Sequence, residues 1–376
     1  MAKIILVAGA RPNFMKIAPV LRAIEKKNSS IQPVLVHTGQ HYDHKMSSAF
    51  FDELGIREPD YNLEAGSASH AVQTANIMTR FEEVCLKEKP DIVVVVGDVN
   101  STIAAALVAK KLNIGLSHIE AGLRSRDSTM PEEINRIATD AISDLFFTTE
   151  PEGTENLLSE GHPENRIHFV GHVMIDNLFY QLQRLSDNTV SESVRRLKEL
   201  LPEQYVCMTM HRPSNVDNPE VLRQLMNAVQ NISGKVPVIF PCHPRTRKNI
   251  AEFNIDIETV SPEKQKKISN GLIMMDPLGY NEFLSLWSGS SVVLTDSGGL
   301  QEETTALKIP CVTMRENTER PVTVSTGSNV IAGANPEKIT GYVNDALEKR
   351  WKECGVPDLW DGRASERIVD VLENYK

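Results

Sequence analysis

The sequence predicts an α/β protein built from two doubly wound, Rossmann-like domains with a cleft between them. Three observations carry that prediction. Short apolar runs rich in β-branched residues recur, with helical segments between them. The runs are continuous and not alternating, as in parallel strands buried on both faces. The chain has 376 residues, enough for two domains that each bury a core. Strands alternating with helices imply layers joined by right-handed crossovers.

Taken in order, the first strands are "KIILVAG", "QPVLVHT", "DIVVVVG", "IGLSHIE", "DLFFTT" and "RIHFVG". Between the first two, "NFMKIAPVLRAIEKK" sets Phe14, Ile17, Leu21 and Ile24 on one helical face. After a long helical stretch come "YVCMTM", "VPVIFPC", "GLIMMD", "SVVLTD", "PCVTM" and "NVIAG". The polar "LSDNTVSES" reads as a surface loop between helices. The expected boundary lies in "GHVMIDNLFY", giving an N-terminal domain of residues 1–172 and a C-terminal, nucleotide-binding domain of residues 173–363. The last helix, about residues 364–376, could belong to either domain and has the option of packing back on the first.

Bulk properties exclude some functions. A net charge of −10 argues against a general nucleic-acid binder, which needs a basic face. A local group of arginines can still hold a small anion. No apolar run approaches the ~18 residues of a membrane span. The start, "MAKIILVAGARPN", passes from a strand into a polar turn, unlike a signal peptide. Cys85, Cys207, Cys242, Cys311 and Cys354 are scattered and never spaced C-x-x-C. They read as reduced thiols of a cytoplasmic protein. No Cys/His/Asp cluster has metal-ligand spacing, and neither a metal nor a cofactor is expected.

Ligands of open parallel sheets bind beyond the carboxyl ends of the strands. Those ends carry Arg11 and Lys16 in "GARPNFMK", Gln40 and His41 in "TGQHYDHK", Asp98 in "GDVNST", and His118, Glu120 and Arg124 in "HIEAGLRSRD". The second half adds His211 in "MHRPSN", His243 in "CHPRTRK", the turn "TDSGG", and Arg315, Glu319 and Arg320 in "RENTERP". Each has a plainer explanation. His118 or His243 alone is more often a hydrogen-bonded structural residue. Asp98 could cap the next helix. In "PEEINR", Glu132 and Glu133 suit a helix first turn behind Pro131. "RTRK" could be a solvated turn. Their concentration at one edge is what argues for a site.

The stretch "LTDSGGLQEE" runs from a strand through two glycines into a helix start. Backbone N–H groups of Ser297, Gly298 and Gly299 can bind phosphate there without a lysine. The absent G-K-[ST] excludes a P-loop NTPase by pattern. An acid one or two turns into that helix repels phosphate but can accept hydrogen bonds from a ribose diol. The ligand is then a nucleotide, with Arg11 and Arg320 available for the remaining phosphate charge.

These motifs together resemble the non-hydrolysing UDP-N-acetylglucosamine 2-epimerases. The resemblance runs over nearly the whole chain, through "GARPNFMKIAP", "GDVNST", "HIEAGLRS", "MPEEINR", "GHVMID", "TDSGGLQEE" and "RENTERP" in the family's order. It implies a GT-B fold, a homodimer, and interconversion of UDP-GlcNAc and UDP-ManNAc without metal or nicotinamide. In that family UDP is eliminated to leave a 2-acetamidoglucal, then adds back as the C2 proton arrives on the other face. The resemblance assigns catalytic roles to Asp98, Glu120 and Glu132, and diphosphate binding or catalysis to Arg11, Lys16 and His211. It gives phosphate to Ser297, Gly298 and Gly299, ribose to Glu303 and a further nucleotide contact to Arg320; His243 is expected among the substrate-binding residues as well. "DPLGYNEF" looks like its uracil pocket, with backbone near Leu278 and the ring of Tyr280 or Phe283 as candidates.

The chain departs from many bacterial members in reading "HRPSNVD" for "HRRE", and in having Asp43 and Gly66 or Ser67 where they have Gln and Arg. Those positions form a second, regulatory UDP-GlcNAc site in such members. Related epimerases act on a UDP-linked diacetamido uronic acid, and Arg245 and Arg247 are spare cations that could meet its carboxylate. A hydrolysing epimerase releasing ManNAc, a GT-B glycosyltransferase and a sugar-nucleotide sensor are further alternatives.

Overall fold

The computed structural model describes residues 2–27, 29–39, 48–185 and 190–375. Gln40, His41 and Asp43 lie outside the described residues. All twelve apolar runs become strands, and they fall into two parallel sheets. The first sheet contains β1 (Lys3–Ala8), β2 (Gln32–His37), β3 (Tyr61–Asn62), β4 (Ile92–Val96), β5 (Gly115–Ile119), β6 (Leu145–Thr148) and β7 (Ile167–Phe169). The second contains β8 (Val206–Thr209), β9 (Pro237–Pro241), β10 (Gly271–Met275), β11 (Val292–Thr295), β12 (Cys311–Thr313) and β13 (Asn329–Ile331). The strand orders are β3-β2-β1-β4-β5-β6-β7 and β10-β9-β8-β11-β12-β13. β3 was not expected: two residues with no apolar run pair with Val36 and His37 at the sheet edge.

Each sheet reverses its winding beside its first strand, between β1 and β4 and between β8 and β11. Helices leave opposite faces on the two sides of such a point, so a crevice opens at the strand ends. Register fixes what stands there. Val96 pairs with Ile119, so Asp98 and Glu120 follow adjacent strand ends. Thr209 pairs with Thr295, so His211 and Asp296 do the same in the second sheet.

Burial on both faces explains the continuous apolar runs. Ile4 and Leu6 of β1 enter one core with Phe14, Ile17 and Leu21 of the helix Arg11–Lys26. Ile5 and Val7 enter the opposite core with Ile77, Phe81 and Ala104. The second sheet packs Val206, Met208, Leu294 and Val312 against Leu225 and Val229. At ~25 cal/mol per Å², burying one such Leu or Val stabilises by roughly 1.5–3 kcal/mol.

Contacts divide the chain into one unit of Met1–Phe179 with Asp358–Lys376 and another of Tyr180–Pro357. The division falls inside the helix Val173–Arg184, seven residues beyond the expected 172/173 boundary. The helix Ala364–Glu373 places Ala364, Ile368, Val369 and Leu372 in the core of Phe14 and Ile17. Asp176 holds its start, accepting from the N–H groups of Ala364 (3.0 Å) and Ser365 (2.7 Å).

Candidate active site

In the first unit, the helix Arg11–Lys26 begins directly beyond β1 and carries Arg11 and Lys16. The Arg11 guanidinium lies 4.6 Å from the centroid of the Phe50 ring, a cation–π contact that orients it. Lys16 Nζ donates to Glu120 Oε2 at 2.5 Å. Glu120 is buried and has a left-handed backbone, φ +68°, rare for a residue with a side chain. Gly97 (φ +67°) makes room for this pair: a Cβ there would stand 3.3 Å from Lys16 Nζ and 3.6 Å from Glu120 Oε2.

Asp98 does not cap the helix Asn100–Lys111, whose N-cap is Val99. Its Oδ2 instead accepts from Arg136 (3.1 Å), and its carbonyl accepts from Asn135 Nδ2 (2.8 Å). Arg136 also donates to Glu133 at 3.1 Å. Glu133 accepts from the N–H groups of Ser125 and Arg126, both at 2.9 Å. Burial opposes its ionisation, yet these donors and Arg136 hold its carboxyl below the ordinary value. Glu132, in the first turn of the helix Pro131–Ile142, is exposed and makes no ion pair among the described residues. The structure thus joins Lys16 to Glu120 and ties Asp98 to the helix of Glu132, without joining Glu132 to either carboxylate.

His118 is a structural residue. It is fully buried, with Nδ1 2.7 Å from Asp140 Oδ1 and Nε2 2.8 Å from the Gly97 carbonyl. Asp140 also binds Arg124 (2.8 Å) and the Gly122 N–H (3.0 Å). Burial opposes its charge, but His118 and Arg124 hold its carboxyl below the ordinary value. This network clamps the turns that carry Asp98 and Glu120.

In the second unit, His211 stands beyond β8, its Nδ1 3.1 Å from Asp296 Oδ1 beyond β11. The His243 ring lies 6.1 Å away, centroid to centroid. His243 is the N-cap of the helix Pro244–Glu252, with Nδ1 accepting from Arg245 N–H. Ser297 precedes the helix Gly298–Ala306, but its own N–H is spent on Thr295 Oγ1 at 2.9 Å. Of the three expected phosphate donors, Gly298 and Gly299 therefore keep the free N–H groups of a helix start. A Cβ on Gly299 would meet nothing within 4 Å, so the space above it is open.

The two acids of that helix differ. Glu302 ion-pairs with Arg320, which is thereby held by protein and not spare for phosphate alone. Glu303 is buried, and Tyr280 donates to its Oε1 at 2.6 Å. Burial first, with the neighbouring charge of Glu302, pushes its carboxyl up to about 7 against the pull of Tyr280. Tyr280 and Phe283 lie in the helix Tyr280–Trp287, and Leu278 precedes it; all three are half-buried. A sequence-family model described as Epimerase_2, UDP-N-acetylglucosamine 2-epimerase, matches residues 22–373.

The chain belongs to the UDP-N-acetylglucosamine 2-epimerase family. It is 43% identical over 376 residues to the UDP-N-acetylglucosamine 2-epimerase of Methanocaldococcus jannaschii, covering 98% of each. It is also 39% identical over 374 residues to the UDP-2,3-diacetamido-2,3-dideoxy-D-glucuronate 2-epimerase of Pseudomonas aeruginosa, covering 98% of the chain and 99% of the relative. The crystal structure of the Methanocaldococcus jannaschii enzyme in complex with UDP-GlcNAc and UDP superposes with a TM-score of 0.80 at 41% identity, covering 98% and 99% of the two chains.

Within this epimerase-family fold, sequence reasoning missed Asp296, Glu133 and Arg136 as parts of the clusters. Asp296 stands in "TDSGG" without an evident role, because its partner His211 lies beyond a neighbouring strand 85 residues earlier in the chain. The signal that finds it is strand order: an acid and a histidine ending neighbouring strands.

Proposed function

We propose that this chain interconverts UDP-GlcNAc and UDP-ManNAc, with the sugar at the strand ends of the first unit and UDP at those of the second. The observation that supports this most is the pair of carboxylates at adjacent strand ends, Glu120 on Lys16 and Asp98 on Arg136. A carbon acid such as C2–H needs a positioned base on one face and an acid on the other. One carboxylate takes the C2 proton as the C1–C2 double bond forms and the C1–oxygen bond breaks. The electron pair leaves on the β-phosphate of UDP. In the return step that oxygen adds to C1, and the second group protonates C2 on the opposite face. Arg11 and His211 stabilise the departing diphosphate, the open helix start at Gly298 and Gly299 holds phosphate, and Glu303 takes the ribose. Glu132 and Lys16 complete the acid–base set; His243, Leu278, Tyr280, Phe283, Ser297 and Arg320 shape the nucleotide site.

The diacetamido uronate reading loses its cations. Arg245 is held by Asp217 through two contacts, one at 2.8 Å, and Arg247 by the Met275 carbonyl (2.8 Å) and Asp276 (3.3 Å). The proposal therefore favours UDP-GlcNAc. It includes a cytoplasmic homodimer supplying UDP-ManNAc for polysaccharide synthesis; no helix among the described residues is long and apolar enough to cross a membrane.

Incubation with UDP-GlcNAc in deuterated water, followed by NMR at C2, tests the reading. UDP-ManNAc with deuterium at C2 is expected. Free ManNAc with UDP would make the protein a hydrolase, and no exchange at C2 would end the epimerase reading.

A further inference from the structure

Asp296 is fully buried at the switch point of the second sheet. Its Oδ2 accepts from the N–H groups of His211 and Arg212, both at 2.9 Å, and from Asn215 Nδ2 at 3.2 Å. Its Oδ1 is buried without a well-aligned hydrogen bond, and His211 Nδ1 lies 3.1 Å away, within ion-pair range but off the straight line. Burial opposes its charge, but the His211 ring first, then the N–H groups of Arg212 and His211, hold its carboxyl below the ordinary value.

An ionised carboxylate only accepts, so the ring nitrogen facing it carries a proton. In a neutral ring, Nε2 is then a bare lone pair, which repels a phosphate oxygen. Only the doubly protonated ring can donate from Nε2. We infer that Asp296 is a positioning residue that fixes the Nδ1 proton of His211, so that His211 meets the diphosphate only as an imidazolium cation. The charge is then delivered where the leaving UDP develops its own. Other ionisable neighbours of the ring are His243, from the helix Pro244–Glu252, and Arg212, on its own loop. His243 does not compete through its own Nδ1, which accepts from the Arg245 N–H. This inference rests on the assignment of UDP to the second unit.

The test compares wild type, Asp296→Asn, His211→Asn and the double variant. UDP affinity is measured across pH, turnover is measured with UDP-GlcNAc, and imidazole nitrogens are followed by proton–nitrogen NMR. In wild type, the His211 proton is expected on Nδ1. UDP affinity should fall as that ring loses its second proton, measured against His211→Asn, which carries the titration of UDP itself. In Asp296→Asn the amide donates to Nδ1, so the ring proton moves to Nε2 and this pH dependence disappears. Turnover should fall by about a hundredfold or more, as when the carboxylate behind a catalytic histidine is neutralised. The double variant should be no slower than His211→Asn, because residues acting as one unit are not additive. Equal losses from Asp296→Asn with and without His211, or an unchanged pH dependence, would make Asp296 a loop brace and overturn the inference. Should Asp296→Asn not fold, the wild-type spectrum decides: a neutral His211 protonated on Nε2 overturns it. Absence of epimerisation in wild type refutes the proposed reaction but leaves the ring spectrum and the UDP titration to decide on Asp296.

Discussion

The carboxyl group of Glu303 is buried against Tyr280, and its value of about 7 follows first from that burial. Its folded value lies above the ordinary 4.5, so the fold favours the protonated form. The resulting stability is fully present below about pH 4.5 and is lost as pH rises through about 7. The interval corresponds to about 3 kcal/mol at most. Glu303→Gln keeps the shape and removes the charge. Urea unfolding should therefore show the variant gaining on wild type by up to about 3 kcal/mol between pH 4.5 and 8. A constant difference would mean that folding leaves the carboxyl at its ordinary value. Loss of a charged hydrogen bond to ribose should also weaken UDP binding by roughly ten- to a hundredfold. The sequence showed an acid after a phosphate-type turn. It could not show which acid ion-pairs with Arg320 and which accepts from Tyr280, because those partners come from other parts of the chain.

The helix Gly298–Ala306 shows where periodicity stops being readable. Leu300 through Ala306 are all buried, including Gln301, Glu302, Thr304 and Thr305, so no polar face marks its outer side. Polar partners replace the apolar stripe: Gln301 Oε1 accepts from Thr318 at 2.6 Å and from Asn329 at 3.1 Å. The twelve longer apolar runs were legible because burial on both faces imposes one composition along a whole strand. β3 was not, because two residues carry no pattern, and strand order was not, because pairing partners are distant in sequence. Gly299 gives this element its prediction. With nothing near its Cβ, Gly299→Ala should stabilise the helix by about 0.5–1 kcal/mol through backbone entropy. The same methyl group should intrude on phosphate and weaken UDP at least about tenfold. Thermal unfolding and UDP calorimetry on one sample check both signs; higher stability with unchanged UDP affinity would remove phosphate from this helix start.

At the scale of the whole molecule, the first unit exposes apolar residues where a monomer gains nothing from them. Ile134 is 57% and Ile137 48% exposed, three residues apart on the helix Pro131–Ile142 and thus on one face. Beside them lies a concavity of about 460 Å³ lined by Thr74, Met78, Ile103 and Ile134. Arg136, on the buried side of the same helix, holds Asp98. A second copy can cover this face through a two-fold axis, each helix seating its isoleucines against the other copy. That contact would also fix the helix behind Asp98, linking assembly to turnover. Sedimentation at micromolar concentration should find a dimer for wild type and a monomer for Ile134→Glu combined with Ile137→Glu. The double variant should lose turnover while UDP affinity stays within about twofold, since none of the groups assigned to the nucleotide lies on this helix. A double variant that sediments as wild type does would place the dimer contact elsewhere, and a wild type that is monomeric would end the proposed homodimer.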